Sequence, residues 1–124
     1  MIEKVDLFDK GGVLRLIEAT NETIYIDTYE IDGLPADLSE ATAFFHLMEF
    51  ATREHIWTKK CEPISGPVTD YQNNVYPYIV PIKFQSADTL NLNGHYIGQL
   101  ELIDYHGESQ IPFELEIIVK KNAI

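Results

Sequence analysis

Tyr96-Ile97-Gly98-Gln99-Leu100-Glu101-Leu102 decides the fold class. In an extended chain Tyr96, Leu100 and Leu102 share one face, while Gln99 and Glu101 point the other way. A period of two is what a half-buried strand requires. Ile111 to Val119 repeats it, with Ile111, Phe113, Leu115, Ile117 and Val119 on one face and Glu114 and Glu116 opposite. Glu22 to Ile31 is rich in the β-branched and aromatic residues that fit a pleated surface. Val13 to Ala19 and Ile56 to Lys60 are shorter strand candidates. Val75 to Phe84 also alternates, and because Pro77 and Pro81 carry no N–H, this strand is expected at a sheet edge.

Turn signals separate these runs: Asp32-Gly33-Leu34-Pro35, Ser65-Gly66-Pro67, Gln72-Asn73-Asn74, Asn93-Gly94 and His106-Gly107. In the second half they recur roughly every 8–12 residues, the spacing of a sandwich or barrel. Ala36 to Arg53 admits a helical period through Leu38, Ala41, Phe44, Phe45, Met48 and Ala51. The neighbouring strands need a partner, so the segment is read as a helical turn at Asp37-Leu38-Ser39 followed by a strand from Ala41 to Phe50. The expected fold is all-β: an immunoglobulin-like β-sandwich of about seven antiparallel strands with at most one short helical turn.

A chain of 124 residues with 45% apolar and 23% charged residues suits one globular domain spanning 1–124, with 1–19 as an N-terminal strand or arm. No apolar run approaches the ~20 residues of a membrane span, and Met1-Ile2-Glu3-Lys4-Val5-Asp6 lacks the basic-then-apolar plan of a secretory signal. A net charge of -11 is a poor design for holding phosphate backbones. Nucleic-acid and membrane partners are therefore not expected.

No catalytic, cofactor or metal site is expected. His46, His55, His95 and His106 show no pair at metal-ligand spacing and read as surface or rim histidines. Cys61, the single cysteine, could be a nucleophile only with a group to depress its pKa, and reads as a buried or half-buried thiol. Asp70 to Asn74 fails as a calcium loop, and Ser65 lacks the glycine that precedes a nucleophile elbow. The aromatics are more informative. If Ala43, Phe45 and Leu47 point inward, Phe44, His46 and Met48 form an outer row, which is either an interaction surface or is covered within the same domain.

Several phrases resemble small immunoglobulin-like domains of bacteriophage tail and baseplate proteins, such as the N-terminal part of the upper baseplate protein of phages infecting Gram-positive bacteria. They are Ile31 to Leu47, with its Asp32-Gly33-Leu34-Pro35-Ala36-Asp37-Leu38; Ser86-Ala87-Asp88-Thr89 followed by Leu92 to Leu102; and the closing Gly107 to Val119. The resemblance runs from Thr23 to Lys121. Ala51 to Pro63 departs by lacking the usual glycine-rich hairpin, and Met1 to Ala19 has no counterpart. In such sandwiches Tyr96, two residues after Gly94, occupies the tyrosine-corner position, its hydroxyl bonding upstream backbone near Asp88 to Leu92. Gly98 stands where disulfide-bonded members place their second cysteine.

The resemblance implies a non-enzymatic virion structural or assembly protein, made in the host cytoplasm, that contacts other tail or baseplate proteins or itself. The alternative is a carbohydrate-binding adhesion module that stacks Trp57, Tyr71, Tyr76 and Tyr78 on sugar faces. An enzyme is the remaining reading, and the chain offers it no assembled acid, base or nucleophile.

Overall fold

Alternating strands must bury one face each, and here they do so against one another in two sheets. The computed structural model describes residues 4–5, 13–27, 41–70, 73, 75–103 and 106–123; at 4–5, 27, 64–70, 75–78 and 110–113 the description is of backbone alone. The strands are β1 (Lys4–Val5), β2 (Val13–Ile17), β3 (Glu22–Asp27), β4 (Thr42–Glu49), β5 (His55–Cys61), β6 (Ile64–Asp70), β7 (Val75–Phe84), β8 (Gly94–Ile103) and β9 (Ser109–Lys120). One sheet has the order β1-β6-β7-β3, the other β2-β9-β8-β4-β5. The protein is an all-β sandwich.

Seven strands, β3 to β9, pair antiparallel within their sheets. Six of them are strands expected from the sequence. The turn expected at Ser65-Gly66-Pro67 is incorrect, because these residues lie inside β6, where the glycine and proline are taken up by a slip in its pairing with β7. Two more come from the N-terminal region and pair in parallel: β2 along β9, and β1 along β6. If β3 to β9 are lettered B, C, C′, D, E, F and G, the sheets contain D-E-B and G-F-C-C′, the immunoglobulin order. The short β1 departs from it by lying beside D instead of B.

The segment with two readings is a strand. In β4, Ala43, Phe45 and Leu47 are buried and the residues between them are half-exposed, so the period is two. The expected turn at Asp37 lies outside the described residues, as does the continuation of β3 to Ile31. The helical turn among the described residues is α1 (Ser86–Thr89), between β7 and β8. Gln85 and Asp88 cap it reciprocally, the Gln85 N–H donating to the Asp88 carboxylate at 2.7 Å.

The edge position expected for Val75 to Phe84 is incorrect, because β7 lies between β6 and β3. Its prolines are tolerated because β6 is not a regular partner at either one. Pairing with β6 slips between Ser65 and Val68, across from Pro77, and ends at Ile64 opposite Ile79, before Pro81. Each proline thus sits where the ladder on that side is bulged or finished.

The core joins both sheets. Ile24, Ile26, Val80, Ile82 and Phe84 from one meet Phe45, Leu47, Leu100, Leu115 and Ile117 from the other, all buried. Phe45 is the junction: its ring stands edge-on to Phe84 at 5.8 Å and 6.3 Å from Trp57. This placement depends on Gly98. A Cβ there would run into the Phe45 ring and come within 2.9 Å of Ile117 Cδ1. Nearby, Tyr96 is buried and its hydroxyl accepts a hydrogen bond from the Asn93 N–H at 3.1 Å. The bond reaches upstream backbone one residue beyond the Asp88 to Leu92 window, just before Gly94 turns the chain into β8 with φ +129°.

Gly98→Ala should destabilise the protein by about 1–3 kcal/mol through overpacking. In a Phe45→Leu background the same change should cost clearly less, which a double-mutant cycle by chemical denaturation measures. Tyr96→Phe should cost about 1 kcal/mol by leaving the Asn93 N–H without its acceptor; an unchanged denaturation midpoint would remove Tyr96 from the corner role.

Candidate functional site

Because side chains alternate, the five-stranded sheet turns a second set of residues away from the core. Register aligns them across strands: Val13, Glu116, Ile97 and Met48 in one row, Glu114, Gln99, His46 and Thr58 in the next. The outer row expected from sequence, Phe44, His46 and Met48, lies on this face, each residue half-buried by its neighbours. Sequence reading missed the more exposed apolar groups. Val13 (39% exposed) and Ile17 (53%) flank Arg15 on the outer side of β2, and Phe50 (39%) lies just past β4. The alternation in Val13-Leu14-Arg15-Leu16-Ile17 is the signal that marks the first two.

Polar side chains tie the centre of the face together. His46 Nε2 lies 2.8 Å from Glu101 Oε1, and its Nδ1 lies 2.7 Å from Thr58 Oγ1. A carboxylate only accepts, so Nε2 carries the ring proton and donates it to Glu101; in the neutral ring Nδ1 then accepts from the Thr58 hydroxyl. His55 Nε2 lies 2.7 Å from the same Thr58 oxygen. The Ser109 hydroxyl donates to the second Glu101 oxygen. The chain His55–Thr58–His46–Glu101–Ser109 therefore crosses β5, β4, β8 and β9.

Two further groups flank it. Arg53 and Gln99 both donate to Glu114, at 2.9 and 2.7 Å. His95 stacks on Phe50 with ring centroids 3.8 Å apart and reaches Glu116 at 3.3 Å. The strand carboxylates Glu101, Glu114 and Glu116 do lie on the solvent side, and each is engaged there. Hydrogen bonds from Ser109 and then His46 hold the Glu101 carboxyl below its ordinary pKa. The Gln99 amide, and after it Arg53, does the same for Glu114 against the opposing effect of desolvation.

The arrangement differs from a Ser-His-Asp triad, because Ser109 bonds the carboxylate and not the imidazole. Cys61 is buried, its thiol pushed up to about 11 chiefly by burial, with Lys59 opposing. Among the described residues no group of three or more His, Cys, Asp or Glu side chains could hold a metal ion. Trp57 is not free to stack on a sugar, since it packs near Phe45 and Phe84 and its Nε1–H donates to the Asp88 carbonyl at 2.9 Å. The side chains of Tyr71, Tyr76 and Tyr78 lie outside the described residues.

Both carboxyls are depressed in the folded state, so their stabilisation is present above the unfolded Glu pKa of about 4.3 and is lost as pH falls through the folded values. Glu101→Gln should flatten the acid limb of a stability–pH curve below about pH 4.5; an unchanged limb would contradict the hydrogen-bond assignment. Native protein should leave Cys61 unmodified by a maleimide at pH 7 over a period in which urea-unfolded protein reacts fully. No protein-family model matches the chain, and no curated protein shows significant sequence similarity to it.

Proposed function

We propose that this chain is a non-enzymatic module that works by protein–protein contact, docking through the outer face of its five-stranded sheet. The observation that carries the reading is the placement of exposed apolar groups. Of the four large apolar side chains exposed among the described residues, Val13, Ile17 and Phe50 lie on or at the rim of this face; Met48 shares the row of Val13, and Phe44 lies on the far side of the polar row that holds His46. Five strands about 4.8 Å apart and about eight residues long offer a patch of roughly 600 Å², the order of one partner's share of a small specific interface. Charged groups already paired within the sheet need not be stripped of water singly when a partner covers them.

The finer assignment, a structural or assembly protein of a phage tail or baseplate, rests on the resemblance of Ile31 to Leu47, Ser86 to Leu102 and Gly107 to Val119. The immunoglobulin order of the sheets is compatible with it. The partner in this reading is a neighbouring tail protein or a second copy of the chain.

Phe44→Glu and Ile17→Glu place a charge in the patch, and both should keep the wild-type circular dichroism. Light scattering at matched concentrations should show oligomers, or capture by phage tail components, for wild type and loss of either in both variants. Monomeric wild type that no tail component retains would overturn the docking reading.

A further inference from the structure

The histidines lack metal-ligand spacing along the chain, but the β4–β5 hairpin brings two of them together. His46 and His55 approach one atom, Thr58 Oγ1, each with a ring nitrogen 2.7 Å from it, and their ring centroids are 6.2 Å apart. At a metal–nitrogen distance of about 2.0–2.1 Å, two imidazoles on one tetrahedral ion hold their centroids roughly 5–5.5 Å apart. The two rings therefore need to close by only about 1 Å, a movement open to the exposed His55 side chain. The two nitrogens thus point at a place an ion could occupy once the Thr58 hydroxyl turns aside.

The state of His46 strengthens the case. A ligating imidazole needs a free lone pair on one nitrogen and gains from a carboxylate holding the proton on the other. Glu101 takes the Nε2–H of His46 at 2.8 Å, leaving Nδ1 as the lone-pair nitrogen. Ser109 occupies the other Glu101 oxygen, so the carboxylate is itself oriented. His55 is exposed and can present Nε2 by moving its proton to Nδ1, a tautomer change that releases no net proton.

We propose that His46 Nδ1 and His55 Nε2 form an open two-histidine site for a borderline divalent transition ion such as zinc or nickel, with Glu101 positioning His46 and water completing the coordination. Imidazole suits these ions, whereas calcium and magnesium take oxygen ligands. The site stands independently of the docking reading, since it needs only the single chain.

Calorimetry with zinc chloride on tag-free protein at pH 7.5 should show one saturable equivalent. His46→Ala and His55→Ala should each weaken binding at least tenfold, and Glu101→Gln should weaken it about tenfold with the thermal melt retained. His95→Ala, on the same face but bonded to Glu116, should leave binding unchanged. Nickel should broaden the His46 and His55 ring resonances before those of His95. If His46→Ala fails to fold, the exposed His55 carries the test. Absence of a saturable heat, binding indifferent to His55→Ala, or loss of binding with His95→Ala would overturn the proposal.

Discussion

The Phe45 ring lies where Gly98 has no side chain, and the rest of the sandwich is arranged around that contact. From β4 the ring covers Gly98 on β8 and packs against Phe84 of the opposite sheet and Trp57 of β5. Immunoglobulin domains commonly brace this position with a disulfide between strands B and F, packed against an aromatic on strand C. Here strand F carries glycine and the aromatic takes the vacated volume. Truncating a buried phenylalanine typically costs about 3–5 kcal/mol, and removing a native disulfide about 2–5 kcal/mol. One well-packed ring can therefore replace the cross-link, provided nothing larger than hydrogen stands at 98.

The end of the sandwich beneath this contact is held by polar groups. Thr89 is buried and its hydroxyl accepts from the Ala19 N–H at 2.8 Å, while buried Glu18 accepts from the Asn91 N–H at 2.6 Å. Asp88 joins the same cluster: it caps α1, pairs with Lys59 at 2.7 Å, and its carbonyl holds the Trp57 indole. The turn after β2, the turn before β8 and strand β5 are thereby fixed relative to one another. Satisfied buried polar groups of this kind specify one register. That register aligns the rows on the outer face.

Much of the fold was legible because a period of two leaves little freedom: β8 and β9 are read from alternation alone, and β4 from its neighbours' need of a partner, after which Phe45 follows as an inward residue. The edge assignment of Val75 to Phe84 failed because a proline excludes a ladder bond on one side only, and sequence does not show that β6 slips at Ser65–Val68 and ends at Ile64. The short α1 at Ser86–Thr89 leaves no helical signal in the sequence, because one turn is too brief to show a period. On the outer face, Phe44, His46 and Met48 were visible as a row. Their partners were not, because His46 meets Glu101, 55 residues away, and that meeting exists only once β4 and β8 are paired in register.

Because the core converges on Phe45, the β4–β8 pair around it should be the last part of the structure to open. Native-state amide hydrogen exchange tests it most directly, since amides that open only with global unfolding exchange slowest. The backbone N–H groups of Phe45, Leu47 and Leu100 should be among the slowest, with a free energy of opening equal to that of global unfolding. Faster, sub-global exchange of these three while Ile24, Ile26 and Ile82 of the opposite sheet stay protected would contradict the account.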